Sequence, residues 1–92
     1  MVREIIGLRR TDLLAMEVKV LFFGVLAEIS GTGFKHYYGA KSISDLMHRI
    51  QDDYPEIVHY NFRVSVNSEI TDDDRLLKPG DEVALMPPFA GG

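Results

Sequence analysis

The sequence predicts a small α+β roll, in which one sheet is wrapped on one main helix. Short segments with alternating apolar residues, typical of strands, lie on both sides of a single amphipathic helical segment. All of these segments fall within residues 17–86 of a 92-residue chain, which has room for one domain only.

Residues 1–15 lie outside this pattern. Their apolar residues hint at a short helix, but Gly7 interrupts it, and a much cleaner pattern begins at Met16. We therefore expect three parts: a loosely held N-terminal extension or upstream-start artefact over 1–15, a folded domain over 16–88, and a flexible tail over 89–92.

The first half of the domain is predicted as strand, helical turn, strand and helix, over residues 17–23, 25–30, 34–38 and 42–53. In the first strand one parity forms the core face, namely Val18, Val20 and Phe22. The opposite parity leaves Leu21 and Phe23 on the outer face. The helix has capping-box spacing at Ser42 and Asp45 and one apolar face, made by Ile43, Leu46, Met47 and Ile50. Pro55 marks its end, and 56–60 adds a short turn.

The second half contains two further predicted strands, over residues 62–66 and 82–86. In the first, Phe62, Val64 and Val66 face one way, and Arg63 and Ser65 face the other. Asn67-Ser68 is a candidate tight turn, and Lys78–Asp81 has the Pro-Gly signature of a type II turn. In the last strand Val83 and Leu85 face inward and Ala84 and Met86 outward. Pro87-Pro88 ends it.

Composition excludes several classes of function. The formal net charge of −4 argues against nucleic acid as a partner. The absence of cysteine excludes disulfides, a cysteine nucleophile and zinc–thiolate sites. No apolar run is long enough to cross a bilayer, and Arg9, Arg10 and Asp12 interrupt any signal peptide, so a cytoplasmic location is expected.

No catalytic constellation is visible within the chain. There is no Gly-rich phosphate loop, and His36, His48 and His59 lack metal-ligand spacing. The three carboxylates at 72–74 are interpreted as a solvated loop, and no metal or bound cofactor is expected.

The C-terminal segment after Pro88 reads Phe89-Ala90-Gly91-Gly92. The two prolines provide a stiff base, and the four residues beyond reach at most about 14 Å. Glycine has no Cβ, so Gly91 and Gly92 can pass through a narrow channel. Such a tail can bring a carboxylate to another protein, which activates it as an acyl donor. A frayed terminus is the plainer alternative.

The chain from Met16 onward resembles the MoaD family, the small ubiquitin-like sulfur-carrier subunit of molybdopterin synthase. The strand Val18–Phe23, the helix start Ser42–Leu46, the pair Val66-Asn67 and above all the closing segment Gly80–Gly92 carry the resemblance. The resemblance implies a β-grasp fold. It also implies that a MoeB-like enzyme uses ATP to adenylate Gly92, which then becomes a thiocarboxylate.

The same resemblance implies that the tail enters a MoaE-like large subunit, in an expected heterotetramer, and donates sulfur to cyclic pyranopterin monophosphate. This chain would then be a non-catalytic, sulfur-donating subunit, and the acid–base residues would belong to the large subunit. A ThiS-like carrier for thiamine synthesis, another sulfur or protein-conjugation pathway, and a plain β-grasp binding module remain as alternatives.

Three apolar residues are predicted to form a partner interface. Phe23 and Met86 have outward parity, and Ile70 follows the Val66-Asn67 turn. The resemblance to the MoaD family implies the same role, because that family uses hydrophobic residues at the matching positions to dock its partners. The alternative is that residues 25–30 or the N-terminal extension cover this surface.

Overall fold

A five-stranded mixed sheet packs with one face on one main helix in the structure, a computed structural model that describes residues 16–88. The elements in chain order are β1 (Glu17–Phe22), α1 (Val25–Ser30), β2 (Phe34–Tyr38), α2 (Ile43–Asp53), a 3-10 helix (Pro55–His59), β3 (Arg63–Val66), β4 (Glu69–Thr71) and β5 (Glu82–Met86). The predicted α+β roll is confirmed.

The sheet order is β2-β1-β5-β3-β4, so the C-terminal strand lies at its centre. β5 runs parallel to β1 and antiparallel to β3. Its inward residues Val83 and Leu85 are fully buried, as predicted. Because β5 is paired on both sides, the chain that leaves it starts from one of the best-anchored strands of the sheet.

β1 and α2 supply most of the remaining core. The predicted inward parity of β1 is confirmed, since Val18, Val20 and Phe22 are all buried. Ser42 caps α2 by accepting a hydrogen bond from the backbone N–H of Asp45 at 3.1 Å. The buried face of the helix is formed by Ile43, Leu46 and Ile50, with Met47 partly buried against the same core.

Two strand boundaries differ from the prediction, since β1 ends one residue early and β3 begins one residue late, at Arg63. β1 ends at Phe22 because Gly24 has a φ of +62° and turns the chain into α1. The backbone N–H of Phe23 still donates to the carbonyl of Leu85 at 3.1 Å, so pairing with β5 continues past the strand's end.

The β3–β4 hairpin is only half predicted. Asn67 and Ser68 form its two-residue turn, as expected, with φ of +50° and +73°. The return strand β4 was missed, because three residues are too few to show an alternating pattern.

A polar cluster ties the edge strand β2 to the C-terminal end of α2. Asp53 accepts hydrogen bonds from Lys35 Nζ at 2.6 Å and from the Tyr37 hydroxyl at 2.7 Å. These bonds, that from Lys35 first, lower the pKa of Asp53. The pKa of Tyr37 is raised by burial and then by its bond to Asp53. The cluster therefore favours an ionised carboxylate beside a neutral phenol.

The predicted extension over 1–15 lies outside the described residues. Within residues 16–88 no helix is long and apolar enough to cross a membrane.

Candidate functional site

The outer face of the sheet, opposite α2, carries a row of residues that crosses all five strands. The strand registers place one residue of each strand side by side in this row, in the order Phe34, Leu21, Ala84, Ser65 and Ile70. Four of these residues are apolar, and the fifth is a serine that is only 4 % exposed. The outer face is therefore apolar at its centre, where a solvated face would be polar.

This row is concave because its middle members are small. Ala84 and Ser65 lie between larger side chains, and the result is an open groove of about 400 Å³. We call it the outer groove; its floor is Ala84 and Ser65, and its main apolar walls are Leu21, Phe23, Ile70 and Met86. Its size and apolar lining suit an inserted apolar side chain from another molecule.

The structure brings together the three residues predicted as a partner interface. Phe23, Ile70 and Met86 all line the outer groove, and the first two are 45 % and 44 % exposed. Their role in binding stays a prediction. The alternative cover by residues 25–30 is not seen, since α1 buries Leu26 in the core on the other side of the sheet.

Polar residues border the apolar row. On one side the register aligns His36, Lys19 and Glu82. Lys19 Nζ lies 5.0 Å from the centre of the Phe34 ring, a cation–π contact. On the other side Arg63 lies opposite Met86, and its guanidinium is 3.7 Å from the exposed carboxylate of Asp72. The side chains of Arg63 and Asp72 are 37 % and 84 % exposed, so both charges are accessible to solvent.

The root of the C-terminal tail lies at the end of this same face. Pro87 follows Met86 directly, and its ring packs against the backbone of Gly24. A Cβ at Gly24 would lie 2.7 Å from Pro87 Cγ, so the close approach requires glycine. The predicted tail residues Phe89, Ala90, Gly91 and Gly92 lie outside the described residues, which end two residues after β5.

Part of the closing segment Gly80–Gly92 has a structural role. Asp81 is 9 % exposed, and its two carboxylate oxygens accept hydrogen bonds from Asn67 Nδ2 at 2.9 Å and from the Lys78 N–H at 2.8 Å. In return the Asn67 amide oxygen accepts from the Glu82 N–H at 2.9 Å. This clamp joins the β3–β4 turn to the start of β5. We assign it no chemical role.

The acidic loop at 72–74 is also partly structural. Asp74 accepts hydrogen bonds from the Ser44 N–H at 2.9 Å and from the Ser44 hydroxyl at 2.8 Å, and both bonds lower its pKa. Asp74 thereby caps the first turn of α2. In the part of the chain that the structure describes, no group of three or more potential ligands is arranged to hold a metal ion.

The sequence did not predict that Phe34, Leu21, Ala84 and Ser65 align in one row across the outer face. The alternation within each strand places Leu21, Ser65 and Ala84 on the outer parity, but their alignment depends on strand order. The missing information was the pairing of strands that are distant in the chain, as in the Leu21–Ala84 pair, whose members are 63 residues apart.

Comparison with known proteins places this geometry in a family. The model of the ThiS family matches residues 20–92, from β1 to the last residue. The chain belongs to that family. Among curated proteins, the molybdopterin synthase sulfur carrier subunit of Chlamydomonas reinhardtii is 34 % identical over an alignment of 84 positions, which covers 84 % of this chain and all of that protein.

Solved structures agree with the assignment to the ThiS family. Small archaeal modifier protein 1 of Methanosarcina acetivorans is 27 % identical, with a TM-score of 0.71 over 83 % of this chain and 96 % of its own. A chain of the Helicobacter pylori complex of molybdopterin-converting factor subunits 1 and 2 is 26 % identical, with a TM-score of 0.64 over 84 % of this chain and all of its own. These matches confirm the predicted β-grasp fold and the resemblance to ThiS/MoaD sulfur carriers.

Proposed function

We propose that this ThiS-family protein is the sulfur-carrier subunit of a molybdopterin synthase. The observation that carries the proposal is the 34 % identity to a molybdopterin synthase sulfur carrier subunit along that protein's whole length. The central, doubly paired β5 supports it, because this strand gives the tail a rigid base beside an exposed apolar groove. The acid–base chemistry then belongs to the partners.

The proposed reaction begins at the carboxylate of Gly92, which is inert until it is activated. A MoeB-like enzyme transfers AMP from ATP to this carboxylate and releases pyrophosphate. Hydrosulfide then attacks the acyl carbon and loses its proton, AMP leaves with one of the former carboxylate oxygens, and a thiocarboxylate remains. The chain itself needs no bound cofactor. The activating enzyme consumes ATP, which fits a cytoplasmic location.

The second half of the proposed reaction takes place in a complex with a MoaE-like large subunit, in a heterotetramer. There the thiocarboxylate donates its sulfur to cyclic pyranopterin monophosphate, and water restores the carboxylate of Gly92. The outer groove would seat an apolar side chain of the large subunit, while the tail extends into the active site. A buried central anchor with charged rim residues is the usual anatomy of a specific interface.

A second candidate function is protein modification. It is favoured by the 27 % identity to small archaeal modifier protein 1 over most of both chains. Both candidates begin with the same activated carboxylate and differ in what attacks it. A lysine amine would give an isopeptide bond, whereas sulfur gives a thiocarboxylate. A ThiS-like carrier would form the same thiocarboxylate but deliver it to another acceptor.

Mass spectrometry tests the proposal. The full chain is incubated with a MoeB-like enzyme, ATP and a sulfur source, and we expect the mass change of one oxygen-to-sulfur exchange at Gly92. Addition of the large subunit and cyclic pyranopterin monophosphate should reverse that change and form molybdopterin. Two variants carry the same tag, one at the C-terminus and one, the matched control, at the N-terminus. The C-terminal tag should abolish loading, because it converts the carboxylate of Gly92 into an amide, whereas the control should be loaded normally.

Each other outcome identifies a different function. Lysine adducts without pterin-dependent turnover would assign the chain to protein modification. A stable thiocarboxylate that the large subunit does not consume would indicate a carrier for another pathway. Binding without any change of mass would indicate a binding module and refute the proposal.

A further inference from the structure

A second apolar groove lies away from the outer face and shares no residue with the outer groove. It has a volume of about 220 Å³, and its apolar walls are Met16, Ala40, Leu76, Leu77 and Pro79. We call it the entry groove, because Met16 is the residue at which residues 1–15 join the domain. Lys41 and Lys78 also line it.

Leu76 makes this groove unusual. Its side chain is 77 % exposed, more than that of any other large apolar residue in the range 16–88. The backbone around it is held on both sides, since the Leu77 N–H donates to the Lys41 carbonyl at 2.9 Å and the Ile43 N–H to the Arg75 carbonyl at 3.0 Å. A leucine held outward on a fixed backbone is a ready contact for an apolar partner.

We propose that the entry groove is the docking site of the chain's own N-terminal segment, residues 1–15, through Leu13 and Leu14. Because Met16 is itself a wall of the groove, these leucines are only two and three residues away from it. Their tether is therefore at most about 10 Å long. Such a short tether gives an effective concentration that a free partner would have to match, on the order of millimolar.

Charge favours the same occupant. The segment over 1–15 contains three arginines and two acidic residues, a net charge of +1, whereas residues 16–92 carry seven basic and twelve acidic residues, a net charge of −5. Opposite net charges favour association of the segment with the domain as a whole, whereas at the groove itself, which is lined by Lys41 and Lys78, the acidic residues of the segment are the ones that can pair. Within the segment, Asp12 is four residues from Met16 and can reach Lys41 or Lys78 on the rim of the groove.

Amide exchange measured by NMR on the full chain tests this proposal. The reporter is the Leu77 N–H, whose bond to the Lys41 carbonyl lies at the groove. The variant Leu14→Asp should speed exchange of this amide by roughly tenfold, as expected when one leucine side chain leaves an apolar site. Val58→Asp is the matched control; Val58 is exposed on the 3-10 helix, and its variant should leave the Leu77 amide unchanged.

Two further measurements identify the occupant. Contacts between methyl groups of Leu76 and those of Leu13 or Leu14 should be seen by nuclear Overhauser effects in the wild type, and Leu76→Asp should remove them. Unchanged exchange in Leu14→Asp together with no such contacts would refute the proposal. Exchange that slows as protein concentration rises would also refute it, because a second copy of the chain would then be the occupant.

Discussion

Removal of the Asp81 carboxylate should destabilise the fold. Asp81 is nearly buried, and both of its oxygens are used, one by the side chain of Asn67 and one by the backbone of Lys78. Asn67 in turn is held to the first residue of β5 by two bonds, at 2.8 and 2.9 Å. Asp81→Ala therefore breaks a clamp that fixes two turns on each other.

The magnitude follows from the number and kind of bonds lost. A hydrogen bond to a charged group contributes about 1.5–3 kcal/mol. Asn67 and Lys78 are both exposed, so water can replace part of each lost bond. We therefore take the lower value for each and expect Asp81→Ala to cost about 3 kcal/mol. Asp81→Asn should cost about 2 kcal/mol, because its amide nitrogen presents a donor where one acceptor stood.

Urea denaturation measures this cost. With an m-value of about 1 kcal/mol/M for a domain of this size, the midpoint should fall by about 3 M in Asp81→Ala. Asp73→Ala is the matched control: Asp73 is an exposed loop residue whose side chain makes no hydrogen bond or ion pair to residues 16–88. A loss in Asp81→Ala that equals the control within about 0.5 kcal/mol would refute the structural role of the clamp.

Three other perturbations have defined outcomes. Two variants test the outer groove: Ala84→Leu fills its floor, and Met86→Asp places a charge on its wall. Each should weaken binding to the large subunit by about thirtyfold or more in calorimetry, whereas the control Val58→Asp should not. Unchanged affinity in both groove variants would contradict the docking role. Ser68→Gly should raise the free energy of unfolding by about 0.5–1 kcal/mol, because Ser68 has a φ of +73°, and a destabilised variant would argue against backbone strain there. The lowered folded-state pKa of Asp53 contributes stability that is present above its ordinary value of 3.8 and is lost as the pH falls through the lowered pKa. Acid titration of Asp53→Asn should therefore show a shallower loss of stability below about pH 4, by less than about 1 kcal/mol because the pair is exposed, and an identical acid profile would contradict the assignment.

The sequence predicts those parts of the fold that depend on residues close together in the chain. The capping of α2 needs only Ser42 and Asp45, three residues apart, and the structure confirms it. The inward parity of β1 and β5 needs only the alternation within each strand, and it too is confirmed. In such segments local propensity and tertiary packing favour the same conformation.

The shape of the candidate site depends on residues far apart, and it could not be predicted in the same way. Outward parity identifies Ala84 and Leu21 separately, but only the parallel pairing of β1 with β5 makes them neighbours. The groove also needs β4 as its far wall, and that strand is too short to be recognised by alternation. Ser65 has the outer parity that the alternation predicts, yet it is buried, because Ser65 and Ala84 together lie between the larger side chains of Leu21 and Ile70.

The clamp at Asp81, the outer groove and the tail are linked through the register of β5. The clamp fixes Glu82 against Asn67, and from Glu82 onward the residues alternate between the core and the outer face. A slip of one residue would turn Ala84 and Met86 into the core and put Val83 and Leu85 in the groove. The same slip would move Pro87 away from Gly24, where the close approach is tolerated only because glycine has no Cβ. The closing motif is therefore required for structure before any chemistry at Gly92: its first residues set the register, its middle residues form the groove floor and wall, and its prolines start the tail from a fixed point.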